Sequence, residues 1–448
     1  MGLAFEGRGS ADALPLAGDG AARPVAPPPP PVSPVATINF ATLGGIEAGA
    51  LVEGHRWQGT AGADGRVTVT YSFIGQSSEF TLGDAFASSA QALGTADRAL
   101  VRQALAAIEA VAAVHFVEVA DTGADGSLLR YGYSQRPNDL GFAGYTFYPS
   151  DYQQAGDVWL GDAQAAGLWD FYRPNLVLHE TLHALGLKHP FDGVRTLAAA
   201  DDVIPNTVMS YSVLPGTSHG MLSAYPTEPM VADVQALQLL YGAASHEAGD
   251  TAYRLDEAAW RTGFHVIWDS GGTDVLDAHA VAGSVSLDLA AGGRSDIGVA
   301  VTATASLADG TAVTGVYRQT LAIAQGAVIE HAVGGAYADV LKGNDAGNAL
   351  VGGGGDDRLL GLGGDDWLAG GDGNNWLDGG AGIDTAYFAR SVTAYDFSAD
   401  AGHIYVRDLV TGTVDTLTGI ERAVFADFTF SPGGLPAPAT LVGMPALA

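Results

Sequence analysis

Glycine recurs every nine residues in the C-terminal part of the chain, at Gly334, Gly343, Gly352, Gly361, Gly370 and Gly379. The eighth place of each unit is apolar: Leu341, Leu350, Leu359, Leu368, Leu377 and Ala386. The sixth place holds Asp339, Asn348, Asp357, Asp366, Asn375 and Asp384. Such a period predicts a glycine turn plus one very short strand per unit, with the apolar residue pointing into a thin core. The turns gather carbonyls and a carboxylate, a set suited to a hard cation such as Ca²⁺. Without the cation the acids repel one another, and the stack is expected to be disordered. A flexible acidic linker has no reason to hold six registers in phase. Tyr337 and Ala346 at the fourth place and Leu362 at the second depart from the pattern, so the outer turns are expected to bind more weakly.

A second motif sits upstream, HETLHALGLKHP from His179 to Pro190. His179 and His183 stand four apart, so a helix puts both imidazoles on one face. Glu180 lies one step round, where its carboxylate reaches a water on the metal. Gly186 ends the helix, because a residue without a Cβ turns there free of strain. The turn returns His189 as a third nitrogen ligand. Three protein ligands leave the fourth position of a tetrahedral zinc open, which marks a catalytic site.

HExxHxxGxxH is the metzincin signature, and Pro190 after the third histidine resembles the serralysin branch. TVMSY supplies the methionine turn of that branch at Met209. The resemblance covers the chain from about residue 51 onward, and the nonapeptides are similar to the GGxGxDxUx calcium repeat of RTX proteins. It implies an α+β zincin-like (metzincin) catalytic domain followed by an all-β parallel β-roll. It implies that Met209 floors the zinc site and that Tyr211 sits beside the metal. It also implies that units eighteen apart share a side of the roll, with ions between adjacent turns. Serralysins are secreted bacterial zinc endopeptidases, exported unfolded through a one-step machinery that reads an uncleaved C-terminal signal.

Composition supports part of this. Fifty acids against twenty bases give a net charge of -30, which argues against nucleic acid or an anionic membrane and favours cation binding. Zero cysteines exclude disulfides, thiolate zinc ligands and cysteine-switch latency. No positive cluster precedes an apolar run at the N-terminus, so no signal peptide is expected there. No apolar stretch is long enough to span a bilayer, so no stable membrane insertion is expected.

Four segments are expected. Residues 1–50 are a disordered head with the proline run Pro27 to Pro31 and the propeptide region. The catalytic domain takes 51–244, the roll 245–387, and a β-rich cap with the export signal 388–448. Within the catalytic domain VTVTYSF and HFVEVAD read as strands, and Thr95 as the N-cap of a helix running to about Ala113. GFAGYTFYP and GDVWL form two short strands. By the resemblance the first is an edge strand that pairs with substrate; on the residues alone an ordinary hairpin fits equally. PTEPMVADVQALQLLYG reads as a helix stopped by Gly242, and WDSGGTDVLDAH as the opening of the roll.

The expected chemistry is hydrolysis of internal peptide bonds, with Glu180 as general base and Tyr211 supporting the oxyanion or ligating the resting zinc. Protein or peptide substrates and the export machinery are the expected partners. The alternative is an RTX adhesin or surface protein carrying a catalytically weak protease fold. Casein hydrolysis that a chelator abolishes and zinc restores separates the two.

Overall fold

The computed structural model describes residues 36–37, 49–59, 62, 64–75, 78–80, 84–121, 127–161, 171–217, 219–400 and 402–430. The proline-rich head and the apolar C-terminal tip lie outside the described residues. Two compact units divide the chain, one of residues 1–244 with 302–315 and one of 245–301 with 316–448.

The first unit is built on a five-stranded sheet. Its strands are β1 (Val67–Phe73), β2 (Val114–Glu118), β3 (Leu129–Ser134), β4 (Gly144–Thr146) and β5 (Asp157–Gly161). The order is β2-β1-β3-β5-β4, parallel except for β4, which runs antiparallel to β5 at the edge. Helix α1 (Thr95–Val111) buries Val101, Ala104, Leu105, Ile108 and Val111, spaced so as to fall on one face. Its N-cap is Gly94, in extended conformation and without a side-chain hydrogen bond, so Thr95 begins the helix instead of capping it. That buried face packs against α2 (Arg173–Ala184) and α3 (Val231–Tyr241). Pro174 occupies the first turn of α2, where its missing N–H costs nothing.

The end of α2 is held from outside the helix. Trp57 Nε1 donates to Ala184 O at 2.8 Å, and Tyr241 Oη donates to Leu185 O at 2.8 Å. These bonds satisfy carbonyls that have no partner inside the helix, each worth about 1 kcal/mol. Gly186 then turns the chain at φ +103, where a Cβ would meet His55 O at 2.3 Å. The glycine is required twice over, by its dihedral and by this close approach.

The second unit is a β-roll of two sheets in which the nonapeptide strands run parallel. One contains Ser286–Asp288, Val340–Lys342, Arg358–Gly363, Trp376–Ala381 and Val414–Thr418. The other contains Ala252–Arg254, Val275–Asp277, His331–Val333, Ala349–Gly354, Trp367–Asp372, Thr385–Phe388 and Arg422–Phe425. Successive nonapeptides alternate between the sheets, so pairing within a sheet joins residues eighteen apart. Leu341, Leu350, Leu359, Leu368, Leu377 and Ala386 are all fully buried between the sheets. Each buried leucine contributes about 1.5–3 kcal/mol, one per rung, which leaves the core thin. Val414–Thr418 and Arg422–Phe425, beyond Tyr387, continue the two sheets.

Candidate metal centre

His179, His183 and His189 converge, with their ligating nitrogens all within 4.8 Å of one another. His183 Nε2 and His189 Nε2 are 3.1 Å apart, and the Tyr211 hydroxyl is 2.8 Å from His189 Nε2. Each Nδ1 is taken. That of His179 meets Val208 O at 2.9 Å, that of His183 meets Leu187 O at 2.7 Å, and that of His189 meets Asp192 Oδ2 at 2.8 Å. An acceptor at Nδ1 puts the proton there and leaves the Nε2 lone pair facing the centre. Burial pushes the His179 pKa down to about 3 and that of His183 well below its ordinary value, so both imidazoles are neutral. Three Nε2 atoms around one point suit a four-coordinate zinc ion with an open position.

The tertiary structure supplies the partners. Val208 belongs to the methionine turn, whose Met209 is fully buried. That turn is held by Asp233, which accepts from Thr207 Oγ1 at 2.5 Å, Val208 N at 2.8 Å and Met230 N at 2.9 Å. Phe191 stacks on the His189 ring at 5.0 Å, nearly parallel.

Glu180 is 5% exposed and accepts from Thr146 Oγ1 at 2.7 Å. Burial pushes its pKa up to about 7 against the pull of that hydrogen bond. Thr146 and Gly144 lie on the edge strand β4, so the carboxylate and the sheet edge face one another. Thr146, Gly144, Asp192, Asp233 and the carbonyls of Val208 and Leu187 all escape the sequence reading. Asp192 and Leu187 lie within four residues of the histidines they meet, and the others reach the site through folding alone.

The sixth-place residues of the roll form two ladders. On one side Asp339 N donates to Asp357 Oδ1 at 2.8 Å, and Asp357 N to Asn375 Oδ1 at 3.0 Å. On the other Asn348 N donates to Asp366 Oδ1 at 2.7 Å, and Asp366 N to Asp384 Oδ1 at 2.9 Å. The second oxygens, Oδ2 of Asp357, Asp366 and Asp384, are buried without a hydrogen-bond partner. Carbonyls stand beside them. A Cβ on Gly352 would meet Asp357 Oδ2 at 2.3 Å and Gly370 O at 2.6 Å, and one on Gly361 would meet Asp366 Oδ2 at 2.1 Å and Gly379 O at 2.5 Å. Buried, unpartnered carboxylate oxygens next to carbonyls are a donor set for an oxygen-seeking cation.

Both ladders outrun the six repeats. Asn375 N donates to Asp415 Oδ1 at 2.9 Å, and Asp384 N to Glu421 Oε2 at 2.9 Å, across 40 and 37 residues. Upstream, Asn348 Nδ2 donates to Glu330 O at 3.0 Å, and Asp274 N to Glu330 Oε2 at 2.8 Å. Glu330 was within reach of the sequence, since it occupies the sixth place of one further unit in phase.

Residues 326–359 and 351–386 match the family model described as RTX calcium-binding nonapeptide repeat (4 copies). Serralysin G of Dickeya chrysanthemi is 30% identical over 65% of this chain and 62% of its own. The serralysin of Proteus mirabilis is 30% identical over 55% of this chain and 54% of its own. The chain is similar to serralysins and carries RTX repeats. A further relative, metallopeptidase AprA of Pseudomonas marginalis, is 29% identical over 64% of this chain and 62% of its own. The chain thus spans less than two thirds of the length of the serralysins it matches.

Proposed function

We propose that this chain is a secreted zinc-dependent endopeptidase of metzincin fold, whose C-terminal roll folds on binding calcium. The observation that carries the reading is the convergence of three Nε2 atoms whose Nδ1 partners are already in place, with the Glu180 carboxylate facing the same edge strand. His179, His183 and His189 would hold the zinc ion. Bound there, zinc supplies Lewis acidity for a water and for the scissile carbonyl.

The chain's own residues do the rest. Among the described residues β4 is the outermost strand of its sheet, and its outer edge offers main-chain donors and acceptors to an extended peptide, which recognises backbone and not side chain. Protein substrates of broad sequence follow from that. Glu180 takes the proton of the attacking water and passes it to the leaving amine. A carboxyl with a pKa near 7 can both accept and release that proton at neutral pH. The Tyr211 hydroxyl donates to the developing oxyanion. Met209 shapes the floor and takes no part in proton transfer.

In the roll, the sixth-place carboxylates and the carbonyls beside them would hold calcium between adjacent rungs. The pairs Asp339 with Asp357 and Asp366 with Asp384 bring two carboxylates each, and the pairs with Asn348 and Asn375 bring one, so the latter are weaker. Calcium is scarce inside the cell and roughly millimolar outside, so the roll stays open for export by a one-step machinery and closes on arrival.

The test is caseinolysis by the full chain. Chelation of zinc should abolish it and added zinc restore it. Glu180→Ala should retain zinc while turnover drops on the order of 10²–10⁴. Wild-type turnover by metal-loaded Glu180→Ala would sink the mechanism.

A further inference from the structure

Lys188 lies between the glycine turn and the third histidine, and the chemistry above leaves it unused. The residue is 9% exposed, with its ammonium turned inward. The Nζ donates to the carbonyls of Ala50, Asp192 at 2.6 Å, Arg195 at 2.9 Å and His189 at 3.3 Å. Three N–H donors meet four carbonyls, so the ammonium is fully engaged, and the long contact to His189 shares a proton. Burial pushes its pKa down against the pull of Asp192 and Glu53.

These carbonyls come from two pieces of chain. His189, Asp192 and Arg195 lie on the loop that carries the third ligand, and Ala50 lies on the segment ahead of the sheet. The same segment is stitched to the turn by backbone bonds. Lys188 N donates to Leu51 O at 2.7 Å, Glu53 N donates to Gly186 O at 3.0 Å, and Val52 bridges Leu187. Asp192, whose carbonyl Lys188 holds, also accepts from His189 Nδ1 through its carboxylate. A loop free to move would therefore release the position of His189 and its orienting carboxylate together.

We propose that Lys188 is a positioning residue for the third ligand: its ammonium pins the 189–195 loop to the 50–53 segment and holds His189 where the metal site closes. The inference rests on the zinc reading of the three histidines. An anchor needed for stability alone would cost less as an apolar side chain, because burying an ammonium carries a desolvation penalty. A cage made of carbonyls spends that penalty on fixing backbone geometry.

The test uses the full chain with Lys188→Met, which keeps the stem and removes the donors, and Lys188→Gln, which keeps two. Zinc affinity is measured by competition with a chelator, alongside the rise in Tm when zinc is added to metal-free protein. Lys188→Met should bind zinc roughly 10–100-fold more weakly, as loss of an outer-shell support does, and its zinc-induced rise in Tm should shrink accordingly. Lys188→Gln should fall between. A merely structural lysine would lower the Tm of the metal-free protein while leaving zinc affinity and the rise as in wild type, and that result overturns the proposal. Should Lys188→Met fail to fold, zinc affinity in Lys188→Gln within about twofold of wild type overturns it equally. His183→Ala separates the failures. If wild type binds zinc no more tightly than His183→Ala, the zinc reading itself falls; if wild type binds tightly and the Lys188 variants match it, this inference alone falls.

Discussion

A Cβ added at Gly144 would stand 2.5 Å from Oε1 of Glu180 and 2.8 Å from its Cγ. The edge strand thus comes closer to the carboxylate than any side chain at that position would permit. Gly144→Ala should fold and bind zinc like wild type, since Gly144 contacts no ligand and the displaced atoms end a side chain. Glu180 must shift, and a displacement of this size costs on the order of 10²-fold in kcat. Caseinolysis at saturating zinc measures it, and turnover equal to wild type would show that the close approach has no bearing on the base.

Tyr211 reaches the same centre from the methionine-turn side, with its hydroxyl 2.8 Å from His189 Nε2. Tyr211→Phe should keep zinc and lower kcat on the order of 10²–10³-fold, with KM little changed, if the hydroxyl serves the oxyanion. Unchanged kcat with a raised KM would instead make Tyr211 a substrate-binding residue.

Leu362 is strained. It sits at φ +77 in the second place of its unit, where Gly353, Gly371 and Gly380 stand at φ +102, +90 and +96. A side chain in this region costs about 1–2 kcal/mol, and glycine loses about 0.5–1 kcal/mol more chain entropy on folding. Leu362 is 40% exposed, so little packing is lost with it. Leu362→Gly should stabilise the calcium-loaded roll by about 0.5–1 kcal/mol, read as a raised urea midpoint. A lowered midpoint would mean that the leucine's contacts outweigh its dihedral.

The ladder acids predict a pH dependence that calcium reverses. Burial pushes Asp357 and Asp366 up to about 7, and their neighbours' charges add to the shift. In the unfolded chain such groups titrate near 3.9, so between these values the folded roll holds protons that the unfolded chain has lost. Their stabilisation is complete below about pH 4 and drains away as pH rises through about 7. In chelator, the small folded fraction of the roll should therefore be larger at pH 5 than at pH 7.5, read by circular dichroism. With calcium the order should invert, because the ion needs the ionised form. An equal folded fraction at both pH values in chelator would count against buried acids without a cation.

Much of the site was legible because its residues are neighbours at a constant offset. Two histidines four apart share a helix face whatever surrounds the helix, and a glycine before the third brings it back. The roll was legible for the same reason, since a nine-residue period places every leucine inward and every sixth residue on a ladder. Thr95 misled, because a residue that caps well also starts a helix well once Gly94 can adopt the extended cap.

What the sequence determined by itself is therefore the local and the periodic: three imidazoles converging, Glu180 beside them, and one sixth-place oxygen side chain in each nonapeptide, from Asp339 to Asp384. Only the tertiary structure decided what orients them. Val208 O meets His179 across 29 residues, Thr146 meets Glu180 across 34, Glu421 meets Asp384 across 37 and Ala50 meets Lys188 across 138. No helical or nonapeptide period contains these separations. Such pairs meet because whole elements pack and buried polar groups must find a partner, a condition the entire fold satisfies and no short stretch of sequence can express.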